Sequence, residues 1–438
     1  MAKLTDKSTF KCGLGAIQTV HAIDGVLPIL HAGPGCAVKV GGGQDLGGSG
    51  HYASQIFPCT NLSEKEIVFG GEGILKKTIE NAQKVIDADL YVVLTSCASE
   101  IIGDDSENVA GKFAQQGDPV IHVSTAGFKG NNYLAHDWVL TSIYDQYLKT
   151  DKPTSDQIIK GQVNVFASLP QHDPFWHGNY DVLEDLLLDI GLKPNIIFGH
   201  GRGIKNVDKI PYAEFNLVVN PWVGLESVQF LEEKFGTPFF HYPNLPVGAY
   251  ETTKFLLAVA EYAGLDLEPI REYTEKNERK YYYFIERFAN TLLEQRIMAK
   301  RFTVVADAQY SLAFTRYLVN DFGINPQKQY ATEDVPEKHR DNIRELFQDL
   351  NTDYDAEISF ETDGFKIHEE IKQEDYLGYP LIIGSAWEKP ISAEVDAYYL
   401  NVTWPINERL VINSSYVGYD GGLNLLEDIY SEVLQRYE

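Results

Sequence analysis

The sequence is poor in positive charge. Lys and Arg total 37 against 63 Asp and Glu, a formal net charge of −26. Such a chain repels phosphate backbones and anionic lipid, so neither nucleic acid nor a membrane is expected as a partner. No apolar run reaches the ~20 residues that cross a bilayer. The opening, Met1 to Lys7, has no apolar stretch behind its first lysine. That argues against a signal peptide and for a cytoplasmic protein. No Gly-x₄-Gly-Lys-[Ser/Thr] segment is present, so the chain is not expected to hydrolyse ATP itself. Cysteine is scarce as well. Cys12, Cys36, Cys59 and Cys97 are the only four, all in the first quarter of the chain. A disulfide scaffold would be smaller and would spread its cysteines along the fold. Cys-x-x-Cys is absent, which removes a zinc ribbon and a two-Cys redox pair.

What the chain does have is alternation. Its 438 residues suggest about three domains. Residues 15–24 read as a helix, 26–31 as a strand and 32–36 as a tight turn. Residues 41–50 hold six glycines and read as a loop. Residues 74–85 are helical in period, and 89–95 form a continuous apolar run typical of a strand buried on both faces. Further strands are expected at 119–124, 164–168, 195–199, 215–220, 301–307 and near 381–384. Helices are expected at 181–190, 224–234, 310–321 and 423–436, with a charged helical linker over 265–300. Strands alternating with helices imply parallel sheets covered on both faces. The fold class is therefore α/β, with three doubly wound, Rossmann-like parallel-sheet domains over 1–165, 166–300 and 301–438.

Ligands in open α/β sheets bind beyond the carboxyl ends of the strands. Cys36 and Cys97 each follow an expected strand in a loop rich in Gly, Ser or Thr. Thiolates there suit a soft metal site, and iron–sulfur clusters are held by Cys thiolates, usually four per cluster. The alternative is that the thiols are small buried hydrophobes. Gly33 and Gly35 would let backbone approach a bulky inorganic group beside Cys36.

Four segments then resemble one family. They are Phe10-Lys-Cys12-Gly-Leu-Gly-Ala, His31-Ala-Gly-Pro-Gly-Cys36, Thr60-Asn-Leu-Ser-Glu-Lys-Glu-Ile-Val-Phe-Gly-Gly71 and Thr95-Ser-Cys97-Ala-Ser-Glu-Ile-Ile-Gly-Asp-Asp105. In order and spacing they resemble the nitrogenase component 1 superfamily, which includes nitrogenase α and β subunits, cofactor-assembly scaffolds and nitrogenase-like reductases. The resemblance implies that Cys12, Cys36 and Cys97 match that family's three cysteine ligands to an interfacial iron–sulfur centre. The centre would be a P-cluster-like eight-iron, seven-sulfur cluster or a four-iron, four-sulfur one. Cys59 is either a buried thiol or a fourth ligand.

Catalytic α subunits of the family carry a Cys that holds the active-site cofactor. The corresponding stretch here, Val219-Asn220-Pro221-Trp222, has no thiol. Residues 231–239, 246–256 and 417–423 resemble β-type sequence. The resemblance thus implies a β-type subunit of a nitrogenase-like two-component reductase. An α-type catalytic subunit would carry the substrate-reducing iron–sulfur cofactor, in a heterotetramer of two α-type and two β-type chains. An ATP-dependent iron–sulfur reductase homodimer would deliver electrons. The substrate would be N2 or another small molecule such as a methylthio-alkane. A cofactor-assembly scaffold and a tetrapyrrole-reductase-like subunit are the alternatives. Molybdenum-type β subunits carry a Ser that can bind the oxidised cluster; the matching position here is Gly127, with Ser124 or Thr125 as substitutes.

Other polar residues have simpler readings. His31 is expected to orient its loop, and Asp104 and Asp105 to cap a helix. His172 and His177 are either a metal pair or, preferably, surface or interface residues. Gly199-His200-Gly201-Arg202-Gly203 is either an anion cradle or a plain turn.

Overall fold

The computed structural model describes residues 12–44, 56–295, 299–351 and 354–435. Gly47, Gly48 and Gly50 of the glycine-rich stretch, Phe10 and Lys11 of the first motif, linker residues 296–298 and Arg436 lie outside the described residues.

Three parallel sheets follow one another along the chain. The first consists of β1 (Val26–His31), β2 (Leu90–Thr95) and β3 (Val120–Val123), in that order. The second consists of β4 (Ile159–Phe166), β5 (Lys193–Asn195), β6 (Ala213–Val218) and β7 (Phe239–His241), in the order β5-β4-β6-β7. The third holds β8 (Arg301–Ala306), β9 (Asn325–Pro326), β10 (Gln329–Ala331), β11 (Ile358–Phe360), β12 (Leu381–Gly384) and β13 (Tyr398–Asn401). Its order is β11-β10-β8-β12-β13, with β9 beside β8. In the second and third sheets the chain builds one side of the first strand (β4, β8) and then crosses to its other side, as in doubly wound sheets.

The first sheet positions the thiols. All six residues of β1 and all six of β2 are buried, so both faces must be covered. Successive side chains alternate between the faces. Leu27, Ile29, Tyr91, Val93 and Val120 meet helices α4 (Glu72–Val85) and α6 (Ser106–Gln115) through Leu75, Ile79, Ala82, Val109, Ala110 and Phe113. On the other face Leu30, Val92, Leu94, Ile121 and Val123 meet α1 (Ala16–His21) and α7 (Asn132–Ser142) through Ile17, Val20, Ala135, Val139 and Leu140. This second layer runs on into the cores of the other two sheets.

Several local expectations are corrected. Residues 34–44 are not a turn and loop but helix α2 (Pro34–Gln44). Pro34 opens it, where the missing N–H costs nothing, and buried Val40 anchors it. The strand expected at 195–199 is β5 at Lys193–Asn195; Ile196, Ile197 and Phe198 enter the core as irregular chain. The linker is helical over Leu267–Gln295. No helix among the described residues is long and apolar enough to cross a membrane.

Candidate functional site

Each strand end of the first sheet delivers one part of the site. Cys36 lies in the first turn of α2, just past β1. Residues 58–60 run parallel to β1 as a short extra edge: Leu30 N–H donates to Pro58 O at 2.8 Å and Thr60 N–H to Leu30 O at 3.0 Å. That pairing sets Cys59 beside β1. Cys97 is the first residue of α5 (Cys97–Ile101), directly after β2. Ser96 caps α5, accepting from Ser99 N–H at 3.3 Å, while Ser99 Oγ accepts Ser96 N–H at 2.9 Å. The loop after β3 forms the floor. Cys12 crosses it, and Gly13 lies so close that a Cβ there would sit 2.4 Å from Thr125 O.

Cys12 and Cys97 come together although 85 positions separate them (97 − 12), and Cys36 and Cys59 follow at the neighbouring strand edge. A Cβ built on Gly127 would lie 2.9 Å from Cys12 Sγ and 3.4 Å from Cys97 Sγ. Burial raises the Cys12 thiol above its ordinary pKa, the Leu14 N–H opposes this, and the neighbouring Cys97 and Cys36 push the same way as burial. Cys36 is raised by burial and then by Cys97, and Cys59 by burial and, more weakly, by Cys36. Lys39, one turn along α2 from Cys36, favours the thiolates of Cys12 and Cys36. All four cysteines are half-buried and free of disulfides.

Cys59 is bonded at both sides of its sulfur. Sγ donates to Ala32 O at 3.4 Å and accepts the Asn61 N–H at 3.4 Å.

This donor set fits an iron–sulfur cluster. No group of three or more His, Cys, Asp or Glu among the described residues closes on a single metal ion. Iron–sulfur clusters are held by Cys thiolates, and free, half-buried cysteines at strand ends are the donor type such a cluster takes. Gly127 leaves the space beside two sulfurs clear of a side chain, and a Cβ on Gly35, next to Cys36, would meet nothing within 4 Å.

The hydroxyls offered as substitutes at Gly127 are engaged elsewhere. Thr125 Oγ1 donates to Thr95 O at 2.7 Å. Ser124 Oγ donates to Glu100 Oε1 at 2.5 Å and accepts from Lys129. Glu100 also accepts from Thr95 Oγ1 at 2.5 Å and pairs with Lys129 at 2.7 Å. Burial works against its charge, but Lys129, Ser124 and Thr95 outweigh it and hold the carboxyl below its ordinary pKa. Glu100 thus ties the end of β2 to the loop after β3. Sequence reasoning missed it: Glu100 lies inside the Cys97 motif, but nothing local announces partners at 124 and 129.

His31 is fully buried and bonded to Thr60 and Asp104. Asp105 caps α6, accepting the Asn108 N–H at 3.0 Å. Asp104 does not; it accepts the Gly71 N–H at 2.8 Å and faces His31 instead.

The remaining candidates separate from the thiols. His172 is only 2% exposed, not a surface residue, and sits between Tyr133 and Trp404. His177 stacks on Trp176 near Gly199, so the two histidines form no metal pair. Arg202 is bound by Asp181 and Glu184, and the backbone at 201–203 pairs with Asp24. The glycine loop is a clamp between the first and second sheets rather than an anion cradle. Trp222 fills its own surroundings. It is buried, stacks on Tyr133 and donates Nε1–H to Glu333 Oε1 at 3.0 Å.

A family model described as nitrogenase component 1 type oxidoreductase matches residues 12–434. Fold and match together make the chain an α/β oxidoreductase. The nitrogenase molybdenum-iron protein beta chain of Frankia alni is 22% identical over 454 aligned residues, covering 97% of this chain and 81% of that protein. A subunit of the light-independent protochlorophyllide reductase of Gloeobacter violaceus is 26% identical over 249 residues, covering 54% of this chain and 47% of that protein. The solved structure titled nitrogenase Cp1 at pH 6.5 superimposes with a TM-score of 0.81 at 19% identity, covering 100% of this chain and 94% of that one. The chain belongs to the nitrogenase component 1 type oxidoreductase family.

Proposed function

We propose that this chain is the β-type subunit of a nitrogenase-like two-component reductase. Cys12, Cys36 and Cys97 would hold an interfacial iron–sulfur centre, P-cluster-like or four-iron. The approach of Cys12 and Cys97 to one another across Gly127, with Cys36 at the neighbouring strand end, carries the reading. Bound there, such a centre supplies one-electron transfer. The chain's own residues keep the thiols in place: α5 and its Ser96 cap present Cys97, Glu100 braces the floor, and Lys39 offsets the negative charge of the thiolates.

A partner chain is part of the proposal. Val38, Ile101 and Phe128 are exposed beside the cysteines on α2, α5 and the loop after β3. Apolar residues left bare next to a reactive centre fit a surface that another subunit covers. We assign that place to an α-type subunit holding the substrate cofactor, in a heterotetramer served by an ATP-dependent reductase homodimer. The thiol-free, Trp222-filled region supports placing substrate reduction in the partner. The cytoplasm is the proposed compartment, because thiolate ligands need reducing conditions. The three sheets favour a three-part division, but β4 (Ile159–Phe166) belongs to the second sheet, so the first boundary is proposed before Ile159 rather than at 165, and the second near 300.

Iron and acid-labile sulfide analysis of the anaerobically purified complex tests the reading. The wild type should carry both, and Cys97→Ala should lose interfacial iron and electron relay. A Cys97→Ala complex that keeps its iron would overturn the assignment.

A further inference from the structure

His31 ends β1, and its bonds reach the segments of three cysteines. Ring Nε2 lies 2.9 Å from Asp104 Oδ2, and ring Nδ1 lies 3.2 Å from Thr60 Oγ1. Its carbonyl accepts the Ser96 N–H at 3.2 Å. Thr60 follows Cys59, Ser96 precedes Cys97, and Cys36 lies five residues beyond His31 on its own strand end. The network then spreads. Thr60 Oγ1 accepts the Ala32 N–H at 3.1 Å, and Ala32 O accepts the Leu62 N–H at 2.9 Å. Asp104 Oδ1 accepts the Gly71 N–H, which opens α4.

The packing leaves little slack. A Cβ on Gly71 would lie 2.6 Å from Asp104 Oδ2, 2.8 Å from Leu62 Cδ2 and 3.0 Å from His31 Cε1. His31 and Asp104 are almost wholly withdrawn from solvent, with side-chain exposures of 0% and 3%. A buried hydrogen bond to a carboxylate is strong and directional. Nε2 faces the Asp104 carboxyl and Nδ1 faces Thr60 Oγ1, whose hydroxyl donates to Ala32 O at 3.2 Å. Burial lowers the pKa of His31 against the pull of Asp104, so a neutral ring suits the site.

We infer that His31, held by Asp104, is a positioning residue for the thiol set: it fixes the spacing of the Cys36, Cys59 and Cys97 segments and through it the potential of the centre proposed at Cys12, Cys36 and Cys97. The inference rests on the iron–sulfur reading above. Residues behind metal ligands orient them, and their loss typically lowers metal affinity about 10- to 100-fold. Potential follows the hydrogen bonding and solvent exposure of the sulfurs, which this network sets through backbone position.

The test compares His31→Ala, His31→Gln and Asp104→Asn in the anaerobically purified complex. His241→Gln is the control; His241 is a half-buried histidine on β7, bonded to Asn220 O at 2.8 Å. Iron content at limiting iron, the electron paramagnetic resonance spectrum and the midpoint potential are read for each. His31→Ala should bind iron about 10- to 100-fold more weakly and show a displaced potential and spectrum. His31→Gln, whose amide can still donate to Asp104, should regain iron while its potential stays displaced. His241→Gln should match the wild type. Wild-type iron affinity, potential and spectrum in His31→Ala would overturn the inference, provided Cys97→Ala is empty; iron retained in Cys97→Ala would instead defeat the cluster reading itself. Should His31→Ala fail to fold, Asp104→Asn keeps an acceptor for Gly71 N–H, and an unchanged potential there overturns the inference equally.

Discussion

Gly127→Ala probes the seat of the thiols with a single methyl group. The added carbon would fall 2.9 Å from Cys12 Sγ, 3.4 Å from Cys97 Sγ and 3.6 Å from Cys12 Cα. The first distance lies well inside van der Waals contact, so Cys12 must move. It has little room, because Gly13 is already pressed on Thr125 O and Gly15 N–H donates to Cys12 O at 2.9 Å. Overpacking of this kind costs about 1–3 kcal/mol. If the strain falls on the loaded geometry, the loading equilibrium drops about 5- to 150-fold. The assay is anaerobic reconstitution of the apo complex with iron and sulfide, followed by visible absorbance. Gly111→Ala, on α6 where a Cβ meets nothing within 4 Å, is the control and should load normally. Equal loading by Gly127→Ala and wild type would refute the placement of Cys12 and Cys97 around this glycine.

Three further outcomes follow from buried polar groups. Glu100→Gln removes the charge that binds Lys129, Ser124 and Thr95, and should cost about 1–2 kcal/mol by denaturant titration. Since the folded pKa of Glu100 is depressed, its contribution is full above the unfolded carboxylate range and is lost as pH falls through the folded value; the gap between wild type and variant should close in acid. His136 bonds Thr19 Oγ1 at 2.8 Å, and burial lowers its pKa to about 3. The unfolded chain binds that proton more readily, so stability is full above pH ~6.5 and falls below it, by about 2 kcal/mol at pH 5. His136→Gln should flatten the acid limb of a melting-temperature profile over that range, and an unaltered limb would contradict the assignment. Trp222→Phe keeps an aromatic ring but removes the pyrrole half of the indole and strips Glu333 of its N–H, and should destabilise by about 1–3 kcal/mol in the same titration.

The parts that sequence could reveal were those written in local pattern. The apolar run at 89–95 announced a strand buried on both faces, and β2 is one. Cys36 and Cys97 followed expected strand ends, so their place at the carboxyl edge of a parallel sheet was readable, as was the family from four spaced motifs. Tertiary choices were not. Glycines at 41–43 suggested a loop, yet Val40 burial and Pro34 at the start make residues 34–44 a helix. The apolar trio Ile196 to Phe198 suggested a strand, but pairing with β4 takes place at Lys193–Asn195. Asp104 had the composition of a helix cap, and its true partners, His31 and Gly71, lie 73 and 33 positions away. His172 was polar in an Asp-Pro loop and so read as surface, although Tyr133 and Trp404 enclose it from distant segments. Polar residues whose partners are remote carry no local signal.

Anomalous diffraction at the iron edge from crystals of the anaerobically purified complex addresses the central claim most directly. Iron density is expected within bonding distance of Cys12, Cys36 and Cys97, on the face past the carboxyl ends of β1 and β2. Iron confined to the partner chain, with these three sulfurs bare, would contradict it.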